Sequence, residues 1–98
     1  MQEALAKAIE ARSARVGVIG LGYVGLPLLE AFGRAGFSLC GFDIDRRKVE
    51  ALRRGESYLQ RVPSSWVKQV TAAGRLEVTD DFARLREQNA IIICVPTP

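Results

Sequence analysis

The chain has 98 residues, of which 48% are hydrophobic and 26% are charged, and its formal net charge at pH 7 is +3. This length allows one small domain with a single core, and this composition is that of an ordinary globular protein. No apolar run approaches the roughly 20 residues that cross a bilayer, residues 1–12 lack a signal-peptide core, and the arginines form no basic stripe. We therefore expect a cytoplasmic protein that binds neither membrane nor nucleic acid.

Residues 2–12 are rich in strong helix formers and predict a short, marginal helix ahead of the fold. Leu5, Ala8 and Ile9 give it one narrow apolar face. Residues 1–14 are therefore interpreted as a helical extension, either a frayed end or an interface element.

Three glycines follow the first predicted strand, residues 15–19, at the spacing G-x-G-x-x-G. Gly20 allows the chain to leave the strand sharply, Gly22 has no side chain to keep a pyrophosphate from the backbone, and Gly25 allows the next helix to pack closely. The helix that begins here presents unpaired N–H groups and a partial positive charge to a phosphate pair. The motif predicts dinucleotide binding, with a plain tight turn as the alternative.

The first helix is predicted over residues 23–35, with Gly36 as its C-terminal cap. Pro27 is tolerated because the N–H groups of a first helical turn have no partner within the helix. Helical spacing predicts that the helix turns five residues to the sheet: Val24, Leu28, Ala31, Phe32 and Ala35.

Two acids follow the second predicted strand, residues 37–42, and both lie about twenty residues after the glycine turn. Asp43 comes directly off the strand, where a carboxylate can accept hydrogen bonds from two ribose hydroxyls, whereas Asp45 fits the N-cap of the following helix. An acid at position 43 repels the 2′-phosphate of NADP and so favours NAD. The arginines at 46 and 47 either accept such a phosphate or belong to a solvated helix start.

The rest of the chain predicts a second helix that ends at Gly55, an irregular connection and four further elements. A third helix turns Trp66, Val67 and Val70 inward as core residues. Asp80 or Asp81 caps a brief fourth helix. A continuous apolar run then indicates a central parallel strand that is covered on both faces. In chain order the expected ranges are 46–55, 56–63, 64–73, 76–79, 82–87 and 90–95.

These elements predict an α/β fold, a partial Rossmann-type doubly wound parallel sheet of about four strands in the order 3-2-1-4. The glycine turn and the tip of the last strand then meet at a topological switch point. We therefore expect Val95, Pro96 and Thr97 near the phosphates or the nicotinamide of the cofactor. Cys40 and Cys94 lie within strands and are interpreted as small core residues, with neither a disulfide, a metal nor a nucleophilic role.

Four segments together resemble the N-terminal domain of the nucleotide-sugar 6-dehydrogenases, which act on UDP-glucose, GDP-mannose or UDP-N-acetylhexosamines. The likeness covers residues 15–98 and rests on VIGLGYVGLPL (18–28), GFDID (41–45) with the Lys48-Val49 pair, GESY (55–58) and IIICVPTP (91–98). It implies that the glycine loop, from Gly20 through Leu21, Gly22, Tyr23 and Val24 to Gly25, holds the pyrophosphate of NAD. It also implies that Asp43 binds the adenosine ribose with Lys48 beside it, and that Thr97 contacts the cofactor.

Enzymes of this family oxidise the C6 alcohol of a sugar to a carboxylate in two NAD-dependent steps, through a thiohemiacetal on a cysteine. The resemblance places that cysteine, its lysine and aspartate helpers and the sugar-binding domain after residue 98, so no catalytic residue is assigned here. We expect a truncated chain or a gene fragment, inactive alone, whose full-length parent binds a nucleotide sugar and forms a homo-oligomer. Residues 57–63 look most like the N-acetylhexosamine branch.

Two alternatives remain open at this point. A β-hydroxyacid or 6-phosphogluconate type dehydrogenase shares the glycine turn, although the Pro-Thr-Pro ending argues against it. The other alternative is a non-catalytic nucleotide-binding module that associates with itself through its first helix. The length of the chain suggests this alternative.

Overall fold

The computed structural model describes residues 14–94. The predicted helix over residues 2–12 and the predicted cofactor contacts at Val95, Pro96 and Thr97 lie outside the described residues. The elements follow one another in this order: β1 (Arg15–Ile19), α1 (Gly25–Arg34), β2 (Ser38–Phe42), α2 (Arg46–Arg53), α3 (Ser64–Ala72), β3 (Leu76–Thr79), a 3₁₀ helix (Phe82–Glu87) and β4 (Ala90–Ile93).

The four strands form one parallel sheet in the order β3-β2-β1-β4, which confirms the predicted topology. The sheet register pairs Val16 with Leu39 and Gly17 with Ile91. Because all four strands run parallel, their carboxyl ends lie at one edge of the sheet. The β1–α1 loop and the tip of β2 therefore meet at that edge.

Local signals marked the C-terminal ends of the α-helices to within two residues, whereas α1 begins at Gly25 and not at the predicted residue 23. Gly36, Gly55 and Gly74 each follow a helix and adopt positive φ angles of 102°, 80° and 72°, a conformation that favours glycine. The Asp45 carboxylate caps α2 by accepting a hydrogen bond from the Arg47 N–H at 2.9 Å. Asp81, rather than Asp80, caps the 3₁₀ helix through the Ala83 N–H.

The core lies between one face of the sheet and the three α-helices. Alternate strand residues such as Val16, Val18 and Leu39 pack there, and α3 turns Trp66, Val67 and Val70 inward as predicted. Trp66 is therefore a core residue. Burying such apolar side chains is the main source of stability, at about 25 cal/mol for each Å² removed from water.

The predicted inward face of α1 is wrong except at Phe32, which packs against the core. Val24 and the alanines at 31 and 35 are exposed, Leu28 and Phe32 are half-buried, and the buried residues of the helix are Gly25, Leu26, Leu29 and Gly33. The helix turns its glycines toward the sheet because they allow close approach. A Cβ on Gly33 would lie 2.6 Å from the Trp66 ring and 2.9 Å from the Leu39 side chain. The prediction rested on the spacing of apolar side chains, and glycine has none. It therefore turned the neighbouring face of α1 toward the sheet.

This orientation predicts opposite outcomes for two substitutions on α1. Gly33→Ala should lower the free energy of unfolding by about 2 kcal/mol, because the added methyl overpacks the contact with Trp66 and Leu39. Ala31→Lys should change it by less than about 0.5 kcal/mol, because Ala31 is exposed. Urea denaturation measures both values. The reverse ranking would mean that Ala31, and not Gly33, faces the sheet.

The predicted cover on both faces of β4 is also wrong for the residues that the structure describes. Ile91 and Ile93 are 45% and 66% exposed. They lie on the face opposite the α-helices, at the outer strand of the sheet. The 3₁₀ helix covers part of that face, but its Phe82 ring packs on Phe42 of β2, two strands away, at 5.8 Å between ring centroids.

Both cysteines are free thiols, and Cys40 is buried in β2 as expected of a core residue, while Cys94 is partly buried. Burial raises the pKa of the Cys40 thiol from 9.0 to about 11. The thiolate is the reactive form, so alkylation of Cys40 by iodoacetamide should be slow at pH 7 and accelerate about tenfold per pH unit until the pH nears 11. Mass spectrometry of timed samples measures this rate. A fast, pH-independent reaction of Cys40 would contradict the buried position.

Within residues 14–94, none of the helices combines the length and the apolar character that crossing a bilayer requires.

Candidate dinucleotide site

The predicted site residues that lie within residues 14–94 converge at the carboxyl edge of the sheet. The loop of residues 20–24 leaves β1 and enters α1, Asp43 follows β2, and Lys48 lies in the first turn of α2. These three segments are consecutive along one side of the sheet because β2 is paired directly with β1.

Gly20 and Gly25 are required by the close packing of the loop. Gly20 has a φ of 90° and lies against the Cys94 carbonyl, which a Cβ at this position would overlap. A Cβ on Gly25 would overlap the carbonyl oxygen of Gly20. Both contacts are to backbone, which cannot move aside as a flexible side chain can. The first glycine thus fits the sharp exit from β1 and the third fits the tight return into α1.

Gly22 differs from the other two glycines because its surroundings are open. Within residues 14–94, and leaving aside its two chain neighbours, the only heavy atom that a Cβ at this position would meet within 4 Å is the Lys48 ammonium nitrogen, at 4.0 Å. No side chain caps α1, and among the described residues no backbone hydrogen bond engages the N–H groups of Gly22, Tyr23 and Val24. The loop therefore offers free N–H donors, the positive end of a helix dipole and an ammonium group around one open space.

The Asp43 carboxylate is buried, with 8% of the residue exposed, and it holds the loop in place. One oxygen accepts a hydrogen bond from the Leu21 N–H at 2.9 Å and the other accepts one from the Asp45 N–H at 2.8 Å. An ionised carboxylate oxygen can accept more than one hydrogen bond, so each oxygen keeps acceptor capacity for a hydroxyl. Asp45 is occupied at the start of α2, where hydrogen bonds from Arg47 lower its pKa.

The two arginines at the start of α2 are paired with nearby acids. The Arg46 guanidinium lies 3.5 Å from the Asp80 carboxylate, and Arg47 lies 3.3 Å from Asp45. Both arginine side chains are largely exposed, which matches a solvated helix start. Exposed pairs of this kind contribute little to stability.

Tyr58, to which the sequence analysis assigned no role, contacts the glycine loop. It lies in the irregular connection between α2 and α3, and its hydroxyl donates a hydrogen bond of 2.5 Å to the Leu21 carbonyl. The Lys48 ammonium lies 6.0 Å from the centre of its ring, within the range of a cation–π interaction. Only the GESY segment pointed to this residue, because an irregular connection has no periodicity from which a contact can be inferred.

Tyr23 and Val24, in the same loop, are 82% and 69% exposed. Two shallow hollows elsewhere, of about 260 and 330 Å³, are lined by residues around Thr71 and around Trp66. Neither touches the glycine loop, which is consistent with an open crevice. Among residues 14–94, no group of three or more metal-ligating side chains is present.

The parallel sheet, the uncapped helix after a glycine loop and the acid at the tip of β2 define a dinucleotide-binding domain of the Rossmann class. The residues present fit a dinucleotide, since free N–H donors and a cation surround the open space at Gly22 and an acid with spare acceptor capacity follows β2.

Comparison with known proteins gives the family. Residues 14–98 match the UDP-glucose/GDP-mannose dehydrogenase family, NAD binding domain. The chain therefore belongs to this family, and the matched domain is its NAD-binding domain. The match supports the nucleotide-sugar dehydrogenase interpretation over the β-hydroxyacid or 6-phosphogluconate type.

Individual relatives and structures agree. The chain is 35% identical over 85 residues to the UDP-N-acetyl-D-mannosamine dehydrogenase of Pyrococcus horikoshii, covering 86% of this chain and 20% of that protein. It is 38% identical over 84 residues to a UDP-N-acetyl-D-glucosamine 6-dehydrogenase of Pseudomonas aeruginosa, covering 86% of this chain and 19% of that one. A crystal structure of GDP-mannose dehydrogenase from Pseudomonas aeruginosa superposes with a TM-score of 0.78 at 30% identity, over 86% of this chain and 20% of that one. The chain thus spans about one fifth of the length of these relatives.

Proposed function

We propose that this chain is the NAD-binding portion of a UDP-sugar 6-dehydrogenase of the N-acetylhexosamine type. The observation that carries the proposal is the open space at Gly22, which free N–H donors and the Lys48 ammonium surround. The names of two relatives support the sugar class, since one is a UDP-N-acetyl-D-mannosamine dehydrogenase from Pyrococcus horikoshii and the other a UDP-N-acetyl-D-glucosamine 6-dehydrogenase from Pseudomonas aeruginosa.

In this proposal the segments of the site bind different parts of NAD. The N–H groups of Gly22, Tyr23 and Val24 hold the pyrophosphate, while Gly20, Leu21 and Gly25 shape the loop. Lys48 adds a positive charge on the same side, at 4.0 Å from the position of a Gly22 Cβ. Asp43 accepts hydrogen bonds from the adenosine ribose, and Val95, Pro96 and Thr97 contact the cofactor from beyond β4.

The parent enzyme would oxidise the C6 alcohol of its sugar to a carboxylate, with one NAD accepting a hydride in each of two steps. Residues of this chain bind and orient the cofactor and take no part in bond breaking. The proposal includes a nucleotide-sugar substrate held by other parts of the parent, a homo-oligomeric parent and a cytoplasmic location.

Calorimetric titration of the 98-residue chain with NAD tests the cofactor assignment. We expect saturable binding of one NAD, and at least tenfold weaker binding of NADP because the Asp43 carboxylate repels a 2′-phosphate. Circular dichroism establishes that the sample is folded. No saturable heat at millimolar NAD from a folded chain would contradict the proposal.

The substrate class is tested on the parent protein. If the reading frame continues into a cysteine-bearing loop and a sugar-binding domain, the full-length enzyme should reduce NAD with a UDP-N-acetylhexosamine in preference to UDP-glucose or GDP-mannose. Preference for either of the other sugars would overturn the N-acetylhexosamine assignment while leaving NAD binding intact.

A further inference from the structure

We propose that Tyr58 is a positioning residue of this site, whose hydroxyl holds the Leu21 carbonyl and thereby directs the Gly22 N–H toward the cofactor's pyrophosphate. The inference rests on the proposed function, because it assigns a cause to the shape of the same loop.

Leu21 is held at both of its backbone polar groups. Its N–H donates to the Asp43 carboxylate at 2.9 Å, and its carbonyl accepts from the Tyr58 hydroxyl at 2.5 Å. The Leu21 side chain is fully buried, so the residue cannot turn as a unit. The two partners come from different segments, the tip of β2 and the connection between α2 and α3, and together they fix both peptide planes that flank Leu21.

The geometry of the peptide bond transmits this restraint to Gly22. In a trans peptide the C=O of one residue and the N–H of the next lie in one plane and point in opposite directions. Holding the Leu21 carbonyl toward Tyr58 therefore turns the Gly22 N–H to the other side. Without a partner for that carbonyl, glycine at position 22 would leave the peptide plane free to rotate.

The connection that carries Tyr58 is itself fixed by hydrogen bonds. The Ser57 N–H donates to the Ser64 hydroxyl at 2.9 Å, and the Ser57 hydroxyl donates to the Leu59 carbonyl at 3.0 Å. Gly55 starts the connection with a φ of 80° and lies against Lys68 of α3. Tyr58 therefore lies in a segment that hydrogen bonds hold fixed. A side chain can position another group only if its own backbone is fixed in this way.

The protonation state of the Tyr58 hydroxyl suits a lasting hydrogen-bond donor. Burial raises the pKa of its hydroxyl, and the nearby negative charges of Asp43 and Asp45 raise it further, so the group stays protonated throughout the neutral and mildly alkaline range. The ring also faces the Lys48 ammonium at 6.0 Å from its centre. One side chain thus contacts both the loop that supplies the N–H donors and the cation beside them.

The test compares Tyr58→Phe with Thr71→Val in the 98-residue chain. Tyr58→Phe keeps the ring beneath Lys48 and removes only the hydroxyl. Thr71→Val removes a buried hydroxyl on α3 that has no hydrogen-bond partner among the described residues, so it controls for deletion of a hydroxyl in general. NMR titrations with ADP and with adenosine separate binding of the diphosphate from binding of the nucleoside.

We expect Tyr58→Phe to weaken ADP binding about fivefold, the effect of losing one hydrogen bond, and to leave adenosine binding unchanged. Its amide spectrum should change mainly at Leu21 and Gly22, and Thr71→Val should bind both ligands as the parent chain does. Unchanged ADP affinity in Tyr58→Phe, or an equal loss for ADP and adenosine, would overturn the positioning role.

Two further outcomes are distinguishable. If the unsubstituted chain binds neither ADP nor NAD, the proposed function fails, and the positioning role fails with it. If Tyr58→Phe does not fold, the Tyr58 ring signals of the unsubstituted chain decide instead. They should shift on ADP addition and not on adenosine addition, and the absence of that difference would overturn the inference.

Discussion

Gly25→Ala should prevent the chain from folding to its native state. Its Cβ would overlap the Gly20 carbonyl oxygen, which belongs to the backbone at the end of β1. Separating these atoms requires α1 to move away from the sheet, and α1 supplies Leu26 and Leu29 to the core. We expect a loss of at least about 4 kcal/mol, which is most of the stability of a small domain. Circular dichroism during urea denaturation measures it.

Gly22→Ala is the matched substitution within the same motif. Unlike Gly25→Ala, it should leave folding intact, and its effect should fall on NAD binding. Among the described residues other than its chain neighbours, no atom lies closer than 4.0 Å to its Cβ position, and its φ is not positive, so the folded state accepts alanine without strain. Stability should be unchanged or slightly higher, because alanine restricts the unfolded chain. NAD affinity should fall more than tenfold, because the methyl group occupies the space of the pyrophosphate. A Gly22→Ala chain that binds NAD normally would place the pyrophosphate elsewhere.

Asp43→Asn should weaken both NAD binding and the fold. The carboxylate accepts hydrogen bonds from the Leu21 and Asp45 N–H groups with different oxygens. Asparagine has one acceptor oxygen, so its NH₂ group would face one of those N–H donors. We expect a loss of about 1–3 kcal/mol in the free energy of unfolding and at least a tenfold loss of NAD affinity. The ratio of NAD affinity to NADP affinity should fall, because the variant lacks the negative charge that repels the 2′-phosphate of NADP.

Asp80→Asn is the control for this change. Asp80 is an exposed acid just after β3, at the same edge of the sheet, and within residues 14–94 its side chain makes only a long contact with Arg46. The variant should match the unsubstituted chain in stability to within about 0.5 kcal/mol and in NAD affinity. If the two variants behave alike, Asp43 has no special part in the site.

The helix ends, the strand order and the position of the glycine loop could be predicted from the sequence because local chemistry determines them. Gly36, Gly55 and Gly74 marked the helix ends because each adopts a backbone conformation that favours glycine. The strand order followed from the handedness of parallel crossovers, which does not depend on side chains. The glycine loop and Asp43 were predicted to lie together because both lie at strand ends, where spacing along the chain determines position in space, and the Leu21 N–H does donate to the Asp43 carboxylate.

The features that sequence reasoning missed depend on contacts between distant segments. The orientation of α1 is set by how closely Gly33 approaches Trp66, which is 33 residues away. The exposure of Ile91 and Ile93 depends on which elements lie over that face of the sheet. Tyr58 reaches Leu21 across 37 residues from a connection without periodicity. In each case the deciding partner is identified only by the folded structure.

The most direct test is an amide NMR titration of the ¹⁵N-labelled chain with NAD. If the cofactor binds across the glycine loop, the largest shifts should fall on the amides of residues 20–25 and on Asp43, and they should saturate together. Saturating shifts that centre instead on the hollow beside Trp66 or the one beside Thr71 would show that the dinucleotide binds elsewhere on this domain.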